Sequence, residues 1–110
     1  MQEAGHPHGP ACYLVKLQEG MVVSNEPGYY EKNKFGIRIE NLIYVKKKKQ
    51  KQFFENLTMA PIDKNLISKN LLNPEEKSWV NHYHRNVYKN LKSFMVKNEL
   101  HELKRACSTI

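Results

Sequence analysis

Two acids in the first half of the chain carry most of the chemistry that its residue types offer. Glu26 stands immediately before Pro27-Gly28, and Glu40 closes the string Phe35-Gly36-Ile37-Arg38-Ile39-Glu40, 40 − 26 = 14 residues further on. If these segments pair as antiparallel strands, the two carboxylates come to one face, where they can share a hard divalent ion or bridge two. Arg38, two residues before Glu40, falls on that same face roughly 7 Å away by the strand rise. It is placed to orient a carboxylate through charge-assisted hydrogen bonds. The same three residues also make an ordinary surface salt-bridge ladder, and on residue types alone that is the stronger reading.

The elements that must position these groups follow from the patterning. Residues 1–12 are rich in Gly, Pro and His without a period and read as a loop. Met21-Val22-Val23 is a short β-rich run, which Asn25-Glu26-Pro27-Gly28 is expected to close with a turn. Glu31-Lys32-Asn33-Lys34 reads as a hairpin loop. From Phe35 to Val45 the sequence alternates, with Ile37, Ile39, Ile43 and Val45 on one face and Arg38, Glu40, Leu42 and Tyr44 on the other. A further strand is expected at Leu57-Thr58-Met59, stopped by Pro61. Then the period changes. Asn73-Pro74-Glu75-Glu76 is a helix start, with an N-cap Asn, Pro at the first position and acids in the first turn. Trp79, Tyr83, Val87, Leu91 and Met95 then recur every fourth residue, which predicts an amphipathic helix of about six turns. A shorter helix burying Leu100, Leu103 and Cys107 is expected after it. Strands first and helices after is an α+β order.

Composition bounds the class. The 110 residues, 40% hydrophobic with 11 aromatics, suffice for one small core and argue against wholesale disorder, although a mean hydropathy of −0.71 makes that core thin. The net charge of +7 suggests an anionic partner. However, five of the lysines form one run, Lys46 to Lys49 and Lys51, which reads as an exposed loop. No platform of interleaved aromatic and basic residues accompanies it, so no nucleic acid is expected. Cys12 and Cys107 show no metal or disulfide-framework spacing. The opening residues lack the basic and apolar regions of a secretory leader, and no apolar run approaches the roughly 18 residues of a membrane span. A cytoplasmic protein without a membrane partner is the expectation.

Leu17-Gln18-Glu19-Gly20-Met21-Val22-Val23, Asn25-Glu26-Pro27-Gly28-Tyr29-Tyr30 and Phe35-Gly36-Ile37-Arg38-Ile39-Glu40-Asn41 together are similar to the closing β-hairpin of aminopeptidase P, an X-Pro aminopeptidase of the pita-bread fold. Phe54 to Asp63, Glu76 to Trp79 and Asn81-His82-Tyr83-His84 resemble the C-terminal extension of the longer, eukaryotic-type members. The resemblance thus runs over residues 17–110. It implies a catalytic-domain fragment over 1–50 and a dimerisation-type extension over 51–110. It further implies that Glu26 binds one metal and Glu40 bridges both, with Tyr30 and Arg38 hydrogen bonding beside them. His6-Pro7-His8-Gly9-Pro10 is an imperfect match to the family's His-Glu-Gly-Pro string, which makes His8 the candidate for contact with substrate.

What the resemblance implies about activity is release of the N-terminal residue from peptides with proline in second position, by a pair of hard divalent ions held by carboxylates and a His. Manganese is the expected metal, with zinc or cobalt as alternatives. The family's set is two Asp, one His and two Glu. Asp63 is the sole Asp here and belongs to the extension, so this chain by itself is expected to be inactive. Two other readings stand beside this one: a non-catalytic interaction module derived from the same fold, and a small basic nucleic-acid binder. His82-x-His84 is not read as a metal pair, because residues two apart on a helix point to different sides.

Overall fold

The structure is a computed structural model, and it describes residues 15–110. They form two compact units, one ending at Leu57 and the other running over Thr58–Ile110. His8 and Cys12 lie outside the described residues.

In the first unit, strands β1 (Val22–Asn25), β4 (Asn41–Lys48) and β5 (Lys51–Asn56) make a three-stranded sheet with β4 in the centre, while β2 (Gly28–Glu31) and β3 (Phe35–Arg38) pair separately. The hairpin loop falls where the sequence puts it. Lys34 N–H donates to the Glu31 carbonyl at 3.1 Å, and Asn33 takes the left-handed conformation, φ 61°, that Asn tolerates better than most residues. Two expectations are corrected. Pro27-Gly28 does not reverse the chain, which runs on from β1 into β2. The lysine run is not a loop either: Lys46–Lys48 belong to β4, Lys49 turns with φ 57°, and Lys51 opens β5. The last strand is therefore Lys51–Asn56, ahead of the Leu57–Met59 segment proposed from the sequence. Burial in β4 centres on Val45, which at 1% exposure is the one described residue of this unit that is fully buried, with Ile43, Tyr44 and Lys46 half-buried around it.

The second unit is built on α1 (Pro74–Leu91) and α2 (Lys97–Ala106). The start of α1 is as the sequence predicts: the Asn73 side chain accepts the Glu76 N–H at 2.9 Å and the Glu76 carboxylate accepts the Asn73 N–H at 2.8 Å, a reciprocal capping box. Its length is not, because the helix stops at Leu91 after 18 residues and tightens into a 3₁₀ turn over Lys92–Phe94. A competing cap fixes the stop. Glu99 accepts the Val96 N–H at 3.0 Å, which holds Val96 extended as the N-cap of a new helix that begins at Lys97. Tyr83, Val87 and Leu103 form the core, with Met59, Ile62, Tyr88, Leu91, Met95 and Cys107 packed against it. Met95 thus joins the core without being helical. Trp79 stacks on Tyr83 at 5.6 Å but stays more than half exposed.

His84 is the buried polar residue of this unit, fully shut from solvent. Its Nε2 accepts the Ile62 N–H at 3.1 Å, which requires the neutral ring with its proton on Nδ1. Burial, and secondarily the Lys64 ammonium, hold its pKa below the usual 6.5. The folded state therefore binds fewer protons than the unfolded one, so this stabilisation is complete above pH about 6.5 and is lost as pH falls through the lowered folded value. Thermal unfolding between pH 8 and 5 should show Tm declining on the acid side, and His84→Gln, which can accept from Ile62 but cannot titrate, should flatten that decline. Parallel curves for the two proteins would assign the acid sensitivity elsewhere.

Candidate metal centre

The two acids lie opposite one another by construction of the hairpin. Asn25 pairs with Asn41 before the break and Gly28 with Arg38 after it, so the numbers of each pair total 66 on both sides and the register is carried through. Glu26 and Glu40 occupy the facing positions, and so do Pro27 and Ile39. Proline explains why the ladder opens there. Pro27 has no N–H to give, and the pair retains one bond, Ile39 N–H to the Pro27 carbonyl at 3.1 Å.

Strand alternation then sorts the side chains. Even-numbered positions share one face: Ser24, Glu26, Gly28 and Tyr30 on the outgoing run, Gly36, Arg38 and Glu40 on the returning one. Odd-numbered positions put Tyr29, Phe35, Ile37 and Ile39 on the other. The first face gathers the polar groups. Arg38 stands between the two acids, with one guanidinium nitrogen 3.4 Å from Glu26 Oε2 and another 3.4 Å from Glu40 Oε2. The Ser24 hydroxyl donates to Glu26 Oε1. The Tyr30 ring lies along the strands over Gly36 and Gly28.

Two like charges directly opposite each other in a ladder repel, and one cation balances half of the pair, leaving the trio at net −1. All three side chains are about half exposed, between 40% and 50%. Ion pairs of that exposure contribute about 0–1 kcal/mol, too little to explain by stability why two acids are opposed here. Paired carboxylates with an orienting arginine fit a hard divalent ion. They fit it as part of a shell: among the described residues no third His, Cys, Asp or Glu completes a cation site with them.

The structure thus brings Glu26, Glu40, Arg38 and Tyr30 to one face of one hairpin. The sequence reading did not single out Ser24 or the glycines beneath Tyr30, though the parity that paired Glu26 with Arg38 already places Ser24, Gly28 and Gly36 there. His82 and His84 separate, as the helix period requires. His82 bonds Asn86 at 3.0 Å on the surface while His84 turns inward. Asp63 caps a 3₁₀ turn, accepting the Asn65 N–H at 2.9 Å. Cys107 is a free, partly buried thiol whose pKa is raised by burial.

Residues 3–47 match the model of metallopeptidase family M24, and residues 52–110 match the model described as the C-terminal region of peptidase M24. Among curated relatives, a protein of Talaromyces marneffei named "Probable Xaa-Pro aminopeptidase P" is 45% identical over 94 residues, covering 78% of this chain and 14% of its own. One of the same name from Sclerotinia sclerotiorum is 48% identical over 94 residues, with 78% and 16% covered. One from Laccaria bicolor is 40% identical over 119 residues, with 94% and 18% covered. The chain therefore spans under a fifth of the length of these relatives. The crystal structure of an X-prolyl aminopeptidase from Caenorhabditis elegans, described as a cytosolic enzyme with a di-nuclear active site, superposes with a TM-score of 0.77 at 35% identity, over 93% of this chain and 18% of that one. The α+β order expected from the sequence holds, and it is similar to part of a pita-bread aminopeptidase structure. By the match over 52–110, more than half of its length, and the adjoining match over 3–47, the chain belongs to the metallopeptidase family M24 and carries that family's C-terminal region.

Proposed function

We propose that this chain is the C-terminal part of a two-metal X-Pro aminopeptidase, which releases the N-terminal residue from peptides whose second residue is proline. The observation that carries the reading is the opposition of Glu26 and Glu40 across the broken ladder, with Arg38 at 3.4 Å from an oxygen of each. Glu26 would hold one divalent ion and Glu40 would bridge two, and manganese suits such an oxygen-rich set, with zinc or cobalt as substitutes. Bound divalent ions lower the pKa of water and polarise a carbonyl oxygen. The residues of this chain supply the rest: Arg38 keeps the carboxylates aimed, Ser24 fixes the rotamer of Glu26, and Tyr30 brings a hydroxyl to the same face. His8 remains the candidate for contact with substrate.

Residues 1–50 are assigned to the catalytic domain and 51–110 to an extension through which the enzyme forms a homodimer. A cytoplasmic location agrees with the cytosolic C. elegans neighbour, and no helix among the described residues is long and apolar enough to cross a membrane. A non-catalytic relative of the fold has no need of both acids, and this chain keeps both. The test is a complete enzyme containing this chain, assayed with manganese on matched X-Pro and X-Ala peptides. Release from the X-Pro peptide should be faster by roughly 10²-fold or more. Equal rates, or none on either peptide with the metals bound, would remove the proposal.

A further inference from the structure

Tyr30 has an unusual seat. It is 66% exposed, so burial alone gives the ring little reason to hold one position. Beneath it lie two glycines. A Cβ built on Gly36 would sit 2.6 Å from Tyr30 Cδ1 and 3.0 Å from Cε1, and one built on Gly28 would sit 2.7 Å from Cε2, 2.7 Å from the hydroxyl oxygen and 2.8 Å from Cζ. These distances lie far inside the roughly 3.5–4.0 Å of ordinary non-bonded contact. The ring therefore occupies volume that a side chain at either position would claim. Neither glycine has a positive φ, Gly20 being the one described glycine that does. The backbone at 28 and 36 is thus open to any residue, and within strands glycine is disfavoured by entropy and lost packing. What the two glycines provide here is the trough.

The direction of the trough gives it meaning. Gly36 is the cross-strand partner of Tyr30, and Gly28 is the partner of Arg38. A ring lying over both leans from its own rung toward the rung of Arg38, and its hydroxyl ends over Gly28, two residues from Glu26. We infer that Gly28 and Gly36 are positioning residues, whose missing side chains hold the Tyr30 hydroxyl at the Glu26–Arg38–Glu40 end of the hairpin. This rests on the catalytic reading above and adds to it the reason the hydroxyl is available there.

In the wild-type hairpin the ring is held flat against backbone on one side while its other face stays open. An alanine at 36 keeps the strand but fills the trough, and the mobile partner in that clash is the tyrosine ring. It swings away and takes the hydroxyl with it. Displacing a catalytic group by about 1 Å can cost as much as a hundred-fold in rate.

The experiment uses the complete enzyme with Tyr30→Phe, Gly36→Ala and the double variant. Gly36→Ala should retain its metal content, lower kcat about ten- to a hundred-fold and change KM little. Tyr30→Phe should do the same. Gly36→Ala added to Tyr30→Phe should cause little further loss, since the hydroxyl that the trough serves is already gone. A readout independent of turnover is ¹⁹F NMR of 3-fluorotyrosine at position 30 in the metal-free protein. The wild type should give a dispersed signal from a pinned ring, and Gly36→Ala a narrower one near the shift of free fluorotyrosine. If Gly36→Ala instead loses the fold, Tyr30→Ala/Gly36→Ala decides: recovered Tm assigns the damage to the ring, and no recovery assigns Gly36 to the backbone and overturns the inference. It is equally overturned if Tyr30→Phe is impaired while Gly36→Ala matches wild type in kcat and in the fluorine spectrum, or if Tyr30→Phe itself is fully active. Those outcomes leave the catalytic reading intact, whereas that reading fails with an active Glu40→Ala.

Discussion

In a complete enzyme containing this hairpin, Glu40→Ala should abolish turnover, lowering kcat by about 10³-fold or more, rather than merely raising KM. A carboxylate shared between two ions fixes the position of both, and loss of such a ligand removes several kcal/mol of transition-state stabilisation. The alternative cause, collapse of the hairpin, is weak on magnitude. Glu40 is 44% exposed and its contact with Arg38 is a surface ion pair, so truncation should change stability by about 0–1 kcal/mol. Removing it also relieves the repulsion from Glu26 opposite. Circular dichroism and Tm should therefore stay close to wild type while metal content falls. Glu40→Gln separates charge from shape, because it keeps an oxygen at the same reach but gives up the negative charge, and it should lie between alanine and wild type. Normal kcat with two metals retained in Glu40→Ala would mean that this position is not a ligand.

How much of this was legible in the sequence depends on the range of the interaction that decided each point. Local chemistry was readable. The capping box at Asn73 and Glu76 and the loop at Asn33 are settled by groups within three residues of one another. The face shared by Glu26, Arg38 and Glu40 follows from strand parity once the loop is located. What failed was decided by competition between neighbouring segments. Pro27-Gly28 looked like a turn because each residue favours one, but the ladder from Asn25–Asn41 to Gly28–Arg38 keeps its register through the proline and loses only local bonds. The lysines looked like a loop because they are exposed. Lys46 nevertheless pairs with Glu55 and lies 5.6 Å from the Tyr44 ring centroid, contacts that a strand of alternating faces can make. The helical stripe extended to Met95 on apolar spacing alone, and the capture of Val96 N–H by Glu99 ended it sooner. The seat of Tyr30 was out of reach for a different reason. Glycines in a strand look like weak points until the ring that lies on them is seen.

The 110-residue chain, purified alone, should release no amino acid from X-Pro peptides at any manganese concentration, and this is the larger of the two expected effects because nothing of the reaction should remain. The donor count decides it. An octahedral, oxygen-rich ion needs about six donors, and the described residues bring two carboxylates together without a third metal-binding side chain beside them. With a single Asp in the sequence, Asp63, already committed to capping a turn at Asn65, no pair of aspartates can complete the shell. Electrostatics points the same way. Arg38 holds both acids at 3.4 Å, and an incoming cation must compete with a guanidinium that is already in place, for a site whose net charge is only −1. Manganese should accordingly bind the isolated chain no more tightly than about 10⁻³ M, the weak end of carboxylate-site affinities. Titration calorimetry with manganese and a direct assay of amino-acid release measure the two quantities separately. Weak binding without release is the expected pair of results. Micromolar binding accompanied by metal-dependent release would show that Glu26 and Glu40 find their remaining partners within this chain or in a second copy of it, and the view of the hairpin as half of a larger centre would be wrong.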